Sequence, residues 1–125
     1  MRALSLWQPW ASLICDGRKT VETRHWEMLY RGPLAIHAAM KVDADACYEF
    51  GYSPLTIPRG AVLCIVEVKR CVQFPNSLVV PDPYGDFSDG RFGFLLAILK
   101  KFNPPIPAKG HQKMWNWMPP REAKL

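Results

Sequence analysis

The chain has 125 residues and a mass of 14.3 kDa, which is the size of one domain and too small for two independent cores. Hydrophobic residues make up 49% and charged residues 22% of the sequence, so the composition excludes a disordered chain. No apolar run approaches the ~18 residues of a membrane span, and the first residues lack the apolar stretch of a signal peptide. We therefore expect a cytoplasmic protein with no membrane partner.

The net charge of +5 is distributed unevenly along the chain. Residues 1–90 contain nine Lys/Arg and ten Asp/Glu, whereas residues 91–125 contain seven Lys/Arg and one acid, Glu122. Such a basic segment is typical of proteins that bind a polyanion, such as nucleic acid. It is equally typical of a basic tail that only aids solubility, and the charge alone leaves both interpretations open.

Hydrophobic alternation and turn residues predict five elements in the first half of the chain: a strand at 4–6, a helix at 8–16, strands at 19–24 and 34–38, and a short helix at 43–50. Pro9 suits the first turn of the first helix, where an N–H would have no partner, and Gly17 ends that helix. Asp43 can cap the second helix and Gly51 can end it.

The second half of the chain is predicted to consist of strands and loops. Residues 61–68 form the strongest strand, and their lack of alternation predicts burial on both faces. A surface loop rich in Pro, Asp and Gly follows at 74–90, then a strand apolar on both faces at 91–102 and an extended segment at 104–107. Residues 1–118 are predicted to form one domain, with a frayed tail at 119–125.

These elements place the chain in the α+β class, with about five to six strands and two or three short helices. Strands buried on both faces in so small a domain favour a closed barrel with helices over its ends. A two-layer α+β sandwich is the alternative.

The four cysteines give no sign of a metal centre. Cys15, Cys47, Cys64 and Cys71 include no C-x-x-C pair, so they are interpreted as small buried hydrophobes or incidental thiols. The sequence accordingly predicts neither a metal site nor a cofactor.

Two strings in the first quarter of the chain carry a family resemblance: LSLWQPWASLI at 4–14 and GRKTVETR at 17–24. The later matching segments are Trp26, Arg31-Gly32, Ala35–Ala38, Gly60–Cys71, and Pro107–Gly110 followed by Trp115. Together they resemble the ASCH domain, the activating-signal-cointegrator homology module of the PUA-like superfamily. The resemblance covers nearly the whole chain.

The resemblance implies a small PUA-like β-barrel with a cleft beside its first helix and an RNA- or nucleotide-related role. Some relatives bind nucleic acid, some cleave RNA, and some hydrolyse amide-bearing nucleosides. In the small amidohydrolase branch, a threonine three positions after the motif lysine is the nucleophile. Here that position is Glu22, which cannot replace a hydroxyl, so the chain is more similar to the cointegrator-like branch.

Lys19, Glu22 and Arg24 form the strongest polar cluster of the sequence. A carboxylate flanked by cations could accept a proton or a base-edge N–H, and Arg24 could bind a phosphate through two parallel hydrogen bonds. Spacing alone favours a solvated strand face with an ordinary ion pair. The resemblance reverses that preference, because these positions fall within the ASCH signature.

Five further residues are candidates for the same site: Gln8, Trp26, His37, Lys109 and Gly110. Trp26 is preferred over the neighbouring tryptophans as a platform on which an unpaired base stacks. Gln8 could read a base edge or cap the strand–helix junction. His37 lies among small residues, as a pocket requires, although a satisfied core histidine is the simpler interpretation. Lys109 and Gly110 would combine charge with close backbone approach to a phosphate, or form a plain turn.

The sequence therefore predicts a domain that binds single-stranded RNA or a nucleotide in a cleft built from all eight of these residues, with Lys109 and Gly110 at its mouth. One alternative is a hydrolase acting on RNA or a modified nucleoside, in which Lys19 stabilises negative charge and Glu22 is the general base. Such an enzyme needs both side chains within reach of a common point. The other alternative is a module that binds a protein partner through an exposed apolar patch.

Overall fold

The computed structural model describes all residues, 1–125, and contains six strands, two α-helices and one 3-10 turn. In chain order they are β1 (Arg2–Gln8), α1 (Trp10–Cys15), β2 (Val21–Arg24), β3 (Gly32–Val42), α2 (Ala44–Phe50), β4 (Ala61–Gln73), β5 (Phe92–Pro107), β6 (Met114–Asn116) and the turn Arg121–Ala123. Every predicted helix and strand is present, and the α+β class is confirmed. Four strands are longer than predicted: β1, β3 and β4 extend beyond their predicted residues, and β5 includes the proline-rich segment that the sequence predicts as merely extended.

The six strands form one open sheet in the order β2-β5-β4-β3-β1-β6, so the predicted closed barrel is wrong. β1 and β3 run parallel, and all other neighbours are antiparallel. Closure fails because the strand at each edge is short. β2 has four residues and pairs only with β5, while β6 has three and covers β1 only along Arg2–Leu4. The rest of β1 faces β2 across a gap instead of a ladder.

Burial on both faces of β4, as predicted, follows from two separate apolar clusters. Cys64 and Val66 pack in the larger cluster beneath α1, and Val62 and Ile65 pack in a second cluster with Trp115 on the opposite face. A strand covered on both sides needs no polar alternation. The sheet between the two clusters is the rigid part that positions the gap beside β1.

The middle of β5 is less covered than its apolar sequence predicts. β2 pairs with β5 only opposite Phe92–Leu95, so beyond that point β5 is itself an edge of the sheet. Ile98 and Leu99 are accordingly 43% and 46% exposed. A long apolar strand therefore lies half in solvent because its neighbour is short.

The helix caps agree with the sequence prediction. The Asp43 side chain accepts a hydrogen bond from the backbone N–H of Ala46 at the start of α2, and Gly51 ends that helix with φ +87°. Gly17 follows α1 with φ +80°. Residues other than glycine rarely adopt these left-handed conformations, so the two glycines determine where the helices stop.

Two cysteines are joined, which corrects their interpretation as separate thiols. Cys15 of α1 and Cys64 of β4 form a disulfide with a Cα–Cα distance of 5.7 Å, whereas Cys47 and Cys71 are free. The pairing depends on α1 packing over β4, a contact between segments 49 residues apart. No local spacing in the sequence indicates it.

The C-terminal segment that the sequence predicts as frayed contains the 3-10 turn Arg121–Ala123. Ala123 is buried in the second apolar cluster beside Trp117, so this part of the tail packs on the domain. No helix in the structure combines the length and the apolar character needed to cross a bilayer.

Candidate functional site

An open cleft with two lobes lies beside β1: β1, β2 and residues 83–85 line the small lobe, and β1, β3 and the segment Pro107–Lys113 line the large lobe. It has a small lobe of about 550 Å³ and a large lobe of about 980 Å³. Ser5, Trp7 and Arg24 line both lobes and therefore mark their junction. The cleft is present because β6 is too short to cover this half of β1.

The polar cluster of the sequence converges in the small lobe. The Nζ of Lys19 lies 3.5 Å from Oε1 of Glu22 and donates to the backbone carbonyl of Tyr84 at 2.7 Å. The Nε of Arg24 donates to Oε2 of Glu22 at 2.9 Å. The backbone N–H of Thr23 donates to Oε1 of Glu22 at 3.2 Å. Both carboxylate oxygens of Glu22 are thus held by donors from the protein.

Burial separates the three members of this cluster. Lys19 is only 2% exposed and Glu22 is also buried, so the solvated strand face that spacing alone favours is wrong. The Arg24 side chain is 28% exposed. Because Arg24 also lines both lobes, it is the cation of the three that has room to bind an incoming anion.

Gln8 does not line either lobe of the cleft. Its amide is fully buried: Oε1 accepts the backbone N–H of Ser12 at 2.9 Å, and Nε2 donates to Ser12 Oγ at 2.8 Å and to the carbonyl of Pro58 at 2.6 Å. Those contacts cap the junction between β1 and α1, which is the second of the two interpretations of Gln8 given by the sequence. No amide group is left to read a base.

Among the tryptophans, the structure places Trp7 in the cleft and Trp26 outside it. The ring of Trp26 packs against Phe94 of the core at a centroid distance of 5.1 Å. Trp7 is 48% exposed at the junction of the lobes, and Lys41 Nζ lies 4.0 Å from the centre of its ring. The cleft is therefore lined by Trp7 and not by Trp26, the tryptophan that the sequence favoured.

His37 lies at the floor of the large lobe and is almost fully buried. Its Nδ1 is 2.9 Å from Ser5 Oγ and its Nε2 is 2.7 Å from the carbonyl oxygen of Ala108. Burial lowers the pKa of His37 below its ordinary value, although the hydrogen bond to Ala108 opposes this shift, and the nearby His111 lowers the pKa further. The imidazole is therefore neutral at pH 7.

Lys109 and Gly110 lie on the wall of the large lobe, but the glycine makes its close approach to protein atoms. A Cβ added to Gly110 would lie 2.5 Å from Cε1 of His37 and 2.6 Å from Oγ of Ser5. Only glycine fits over this histidine. Its side-chain-free backbone positions the segment that carries the exposed Lys109 and Lys113.

The charges that line the two lobes differ. The large lobe has Arg24, Lys109 and Lys113 in its walls and no carboxylate, and the small lobe has one carboxylate, that of Glu22. No group of three His, Cys, Asp or Glu side chains is placed to hold a metal ion. The large lobe is thus suited to a negatively charged ligand.

Sequence reasoning missed Ser5, Trp7 and Trp115 as parts of this region. Ser5 and Trp7 alternate along β1 with the buried Leu4 and Leu6, so the period of two could have placed them on the same outer face. Trp115 comes from β6, more than a hundred residues away, and donates from Nε1 to Ser5 Oγ at 3.0 Å. Nothing local in the sequence indicates that contact.

A six-stranded α+β sheet with a cleft beside its first helix is a PUA-like architecture. The model of the ASCH domain family matches residues 4–105, and the chain belongs to that family, as the resemblance predicted.

Known relatives agree with this assignment. The chain is 33% identical over 130 residues to Activating signal cointegrator 1 of Homo sapiens and, equally, to that of Mus musculus. Each alignment covers 90% of this chain and 21% of the relative, so the chain spans about a fifth of their length.

Solved structures of similar fold include the ASCH protein of Zymomonas mobilis, with a TM-score of 0.57 at 20% identity over 98% of this chain and 89% of that one. A single-residue variant of that protein gives a TM-score of 0.54 at 22% identity, over 85% of this chain and 72% of that one. At this level of identity the likeness concerns the fold.

Proposed function

We propose that this chain binds single-stranded RNA or a nucleotide in the two-lobed cleft beside β1. Membership of the ASCH family supports a role in interaction with RNA or protein. The observation that carries the proposal is the pairing of a half-exposed aromatic ring, Trp7, with a partly exposed guanidinium, Arg24, at the junction of the two lobes. Unpaired nucleotides are recognised by this combination, since the base stacks and the phosphate binds the cation.

The surroundings of Trp7 suit a stacked base. Lys41 Nζ lies 4.0 Å from the centre of the ring and adds positive charge beside it, and Trp7 lines both lobes. The cations Lys109 and Lys113 also line the large lobe and would bind the phosphates that flank a stacked base. The lobe volumes fall in the usual range for small-ligand sites, so the cleft suits one or two nucleotides better than a duplex.

Binding of a labelled single-stranded RNA is expected to weaken as salt rises. Contacts with Arg24, Lys109 and Lys113 would neutralise three phosphates, giving a slope of log K against log salt of about −2 for a single strand. Fluorescence anisotropy at a series of potassium chloride concentrations measures this slope. A flat affinity between low and moderate salt would contradict the proposed phosphate contacts.

A hydrolase is a second candidate because Lys19 and Glu22 approach to 3.5 Å within the small lobe. Their convergence meets the geometric requirement for a catalytic pair. Against it, both oxygens of Glu22 already accept hydrogen bonds, from Thr23 and Arg24. A base whose lone pairs are engaged is poorly placed to take a proton from substrate, so binding is the better-supported function.

Glu22→Gln separates the two candidates, because it keeps the shape of the side chain and removes its negative charge. If the chain is a hydrolase, the variant should lose turnover of single-stranded RNA or of a modified nucleoside while still binding it. The readout is product formation, by chromatography, alongside binding in the same samples. Wild-type protein that binds RNA and releases no product would exclude the hydrolase.

A further inference from the structure

A serine and a histidine form a hydrogen-bonded pair at the floor of the large lobe. Ser5 and His37 occupy paired positions of the parallel strands β1 and β3, with Ser5 Oγ 2.9 Å from Nδ1 of His37. Both side chains line the large lobe, and Ser5 also lines the small one. The pair lies apart from the Lys19–Glu22 contact considered above.

The partner of the second ring nitrogen determines where the imidazole proton lies. Nε2 of His37 is 2.7 Å from the carbonyl oxygen of Ala108, which can only accept, so Nε2 carries the hydrogen. In the neutral ring Nδ1 is then an acceptor, and the hydroxyl of Ser5 donates to it. The indole Nε1–H of Trp115 donates to the same hydroxyl oxygen, which fixes the orientation of Ser5.

A nucleophile, a base and a group that orients the base are thus joined in series. We propose that Ser5 is a nucleophile that takes the acyl group of small carboxylic esters, with His37 as its base. The carbonyl of Ala108 orients the imidazole, as a carboxylate does in other such sites. Ser5 is partly exposed and lines both lobes, while the backbone of Gly110 packs against the pair: a Cβ there would lie 2.6 Å from Ser5 Oγ.

The chemistry balances without a cofactor. Oγ of Ser5 attacks the ester carbonyl carbon while its proton passes to Nδ1 of His37, and a tetrahedral oxyanion forms. The C–O bond to the alcohol then breaks, and the alcohol leaves with the proton from Nδ1, so that Ser5 carries the acyl group as an ester. Nδ1 then takes a proton from water, whose oxygen attacks the acyl carbon. The bond between that carbon and Ser5 Oγ breaks, Oγ takes the proton from Nδ1, and the carboxylic acid leaves. Arg24 and Lys109 line the same lobe and would supply positive charge to it.

Acetylation by p-nitrophenyl acetate and labelling by a fluorophosphonate test the proposal on the intact chain, read out by mass spectrometry of the whole protein and of its peptides. We expect one adduct, at Ser5, and none in Ser5→Ala. His37→Gln should slow the labelling by about 10²-fold or more, as expected for loss of a general base. Ser12→Ala is the matched control, because Ser12 is a buried serine bonded to Gln8 and has no histidine partner.

Two results would overturn the proposal. One is labelling spread over exposed serines such as Ser53 and Ser88 with no preference for Ser5. The other is wild-type labelling of His37→Gln in a variant whose circular dichroism is native. Single-stranded RNA binding is measured in the same variants, so that failure of the ester chemistry is distinguished from failure of the RNA proposal.

A pH profile of the wild-type protein keeps the test valid if His37→Gln does not fold. Because burial lowers the pKa of His37, the labelling rate should rise to a plateau as the ring loses its proton, with a midpoint below the ordinary pKa of histidine. The other charged and titratable groups that line this lobe are Arg24, Lys109, His111 and Lys113, and of these His111 acts on the pKa of His37. A rate that only rises with hydroxide concentration would show that His37 is not the base.

Discussion

Replacing Glu22 by alanine is expected to lower the free energy of unfolding by about 3–5 kcal/mol, the usual cost of removing one partner from a buried ion pair. Lys19 is 2% exposed and would keep only the Tyr84 carbonyl and a distant contact with the Trp10 ring. The loss is large because Lys19 has no solvent to compensate for the missing carboxylate. Urea unfolding at pH 7, followed by circular dichroism, measures the change.

An exposed ion pair elsewhere in the chain provides the comparison. Asp86 lies 3.4 Å from Arg91, and its side chain is 57% exposed, so Asp86→Ala should destabilise the fold far less than Glu22→Ala. The double variant Lys19→Met, Glu22→Leu should cost less than the sum of the single changes, because no charge is left buried alone. Equal losses from Glu22→Ala and Asp86→Ala would show that burial does not strengthen the Lys19–Glu22 contact.

Local signals explain which parts of the fold could be predicted from the sequence. The N-cap at Asp43 and the stop at Gly51 depend on a few neighbouring residues, and both are as predicted. The apolar run of β4 indicated burial on both faces because that pattern is independent of which strands lie alongside. Closure of the sheet is different, since it depends on how far β2 and β6 extend beside their neighbours.

In the candidate site, too, contacts between residues close in sequence could be predicted and contacts between distant residues could not. Lys19, Glu22 and Arg24 are close in sequence, and the structure brings them into contact. For His37 the sequence offered no partner, because its contacts, Ser5 and Ala108, are 32 and 71 residues away.

Trp7 and Trp26 are the same type of residue, and their places in the fold determine which of them lines the cleft. Trp26 follows β2 and turns to Phe94, whereas Trp7 alternates outward on β1. Composition and spacing identify the residue type that a binding site needs. The fold determines which of several tryptophans lies in the cleft.

Trp7→Ala and Arg24→Ala are each expected to weaken binding of single-stranded RNA by about 1–3 kcal/mol, or roughly 5- to 150-fold in Kd. Trp7→Ala would remove the stacking surface, and Arg24→Ala would remove the charged contact at the junction of the lobes. Matched controls lie outside the cleft: Tyr48→Ala removes an exposed aromatic ring of α2, and Arg70→Ala removes an exposed arginine of β4. Anisotropy titrations with one labelled oligonucleotide compare all four proteins.

The double variant Trp7→Ala, Arg24→Ala tests whether the two side chains hold the same nucleotide. If a base stacked on Trp7 carries the phosphate that Arg24 binds, either single change already disturbs the other contact, and the two losses should differ from additivity by about 0.5–3 kcal/mol. Arg24 also holds Glu22, so each variant must first show native unfolding. Losses from Tyr48→Ala and Arg70→Ala as large as those from the cleft variants would mean that RNA is held by the general surface of the domain. Strictly additive cleft losses would show that Trp7 and Arg24 contact different nucleotides.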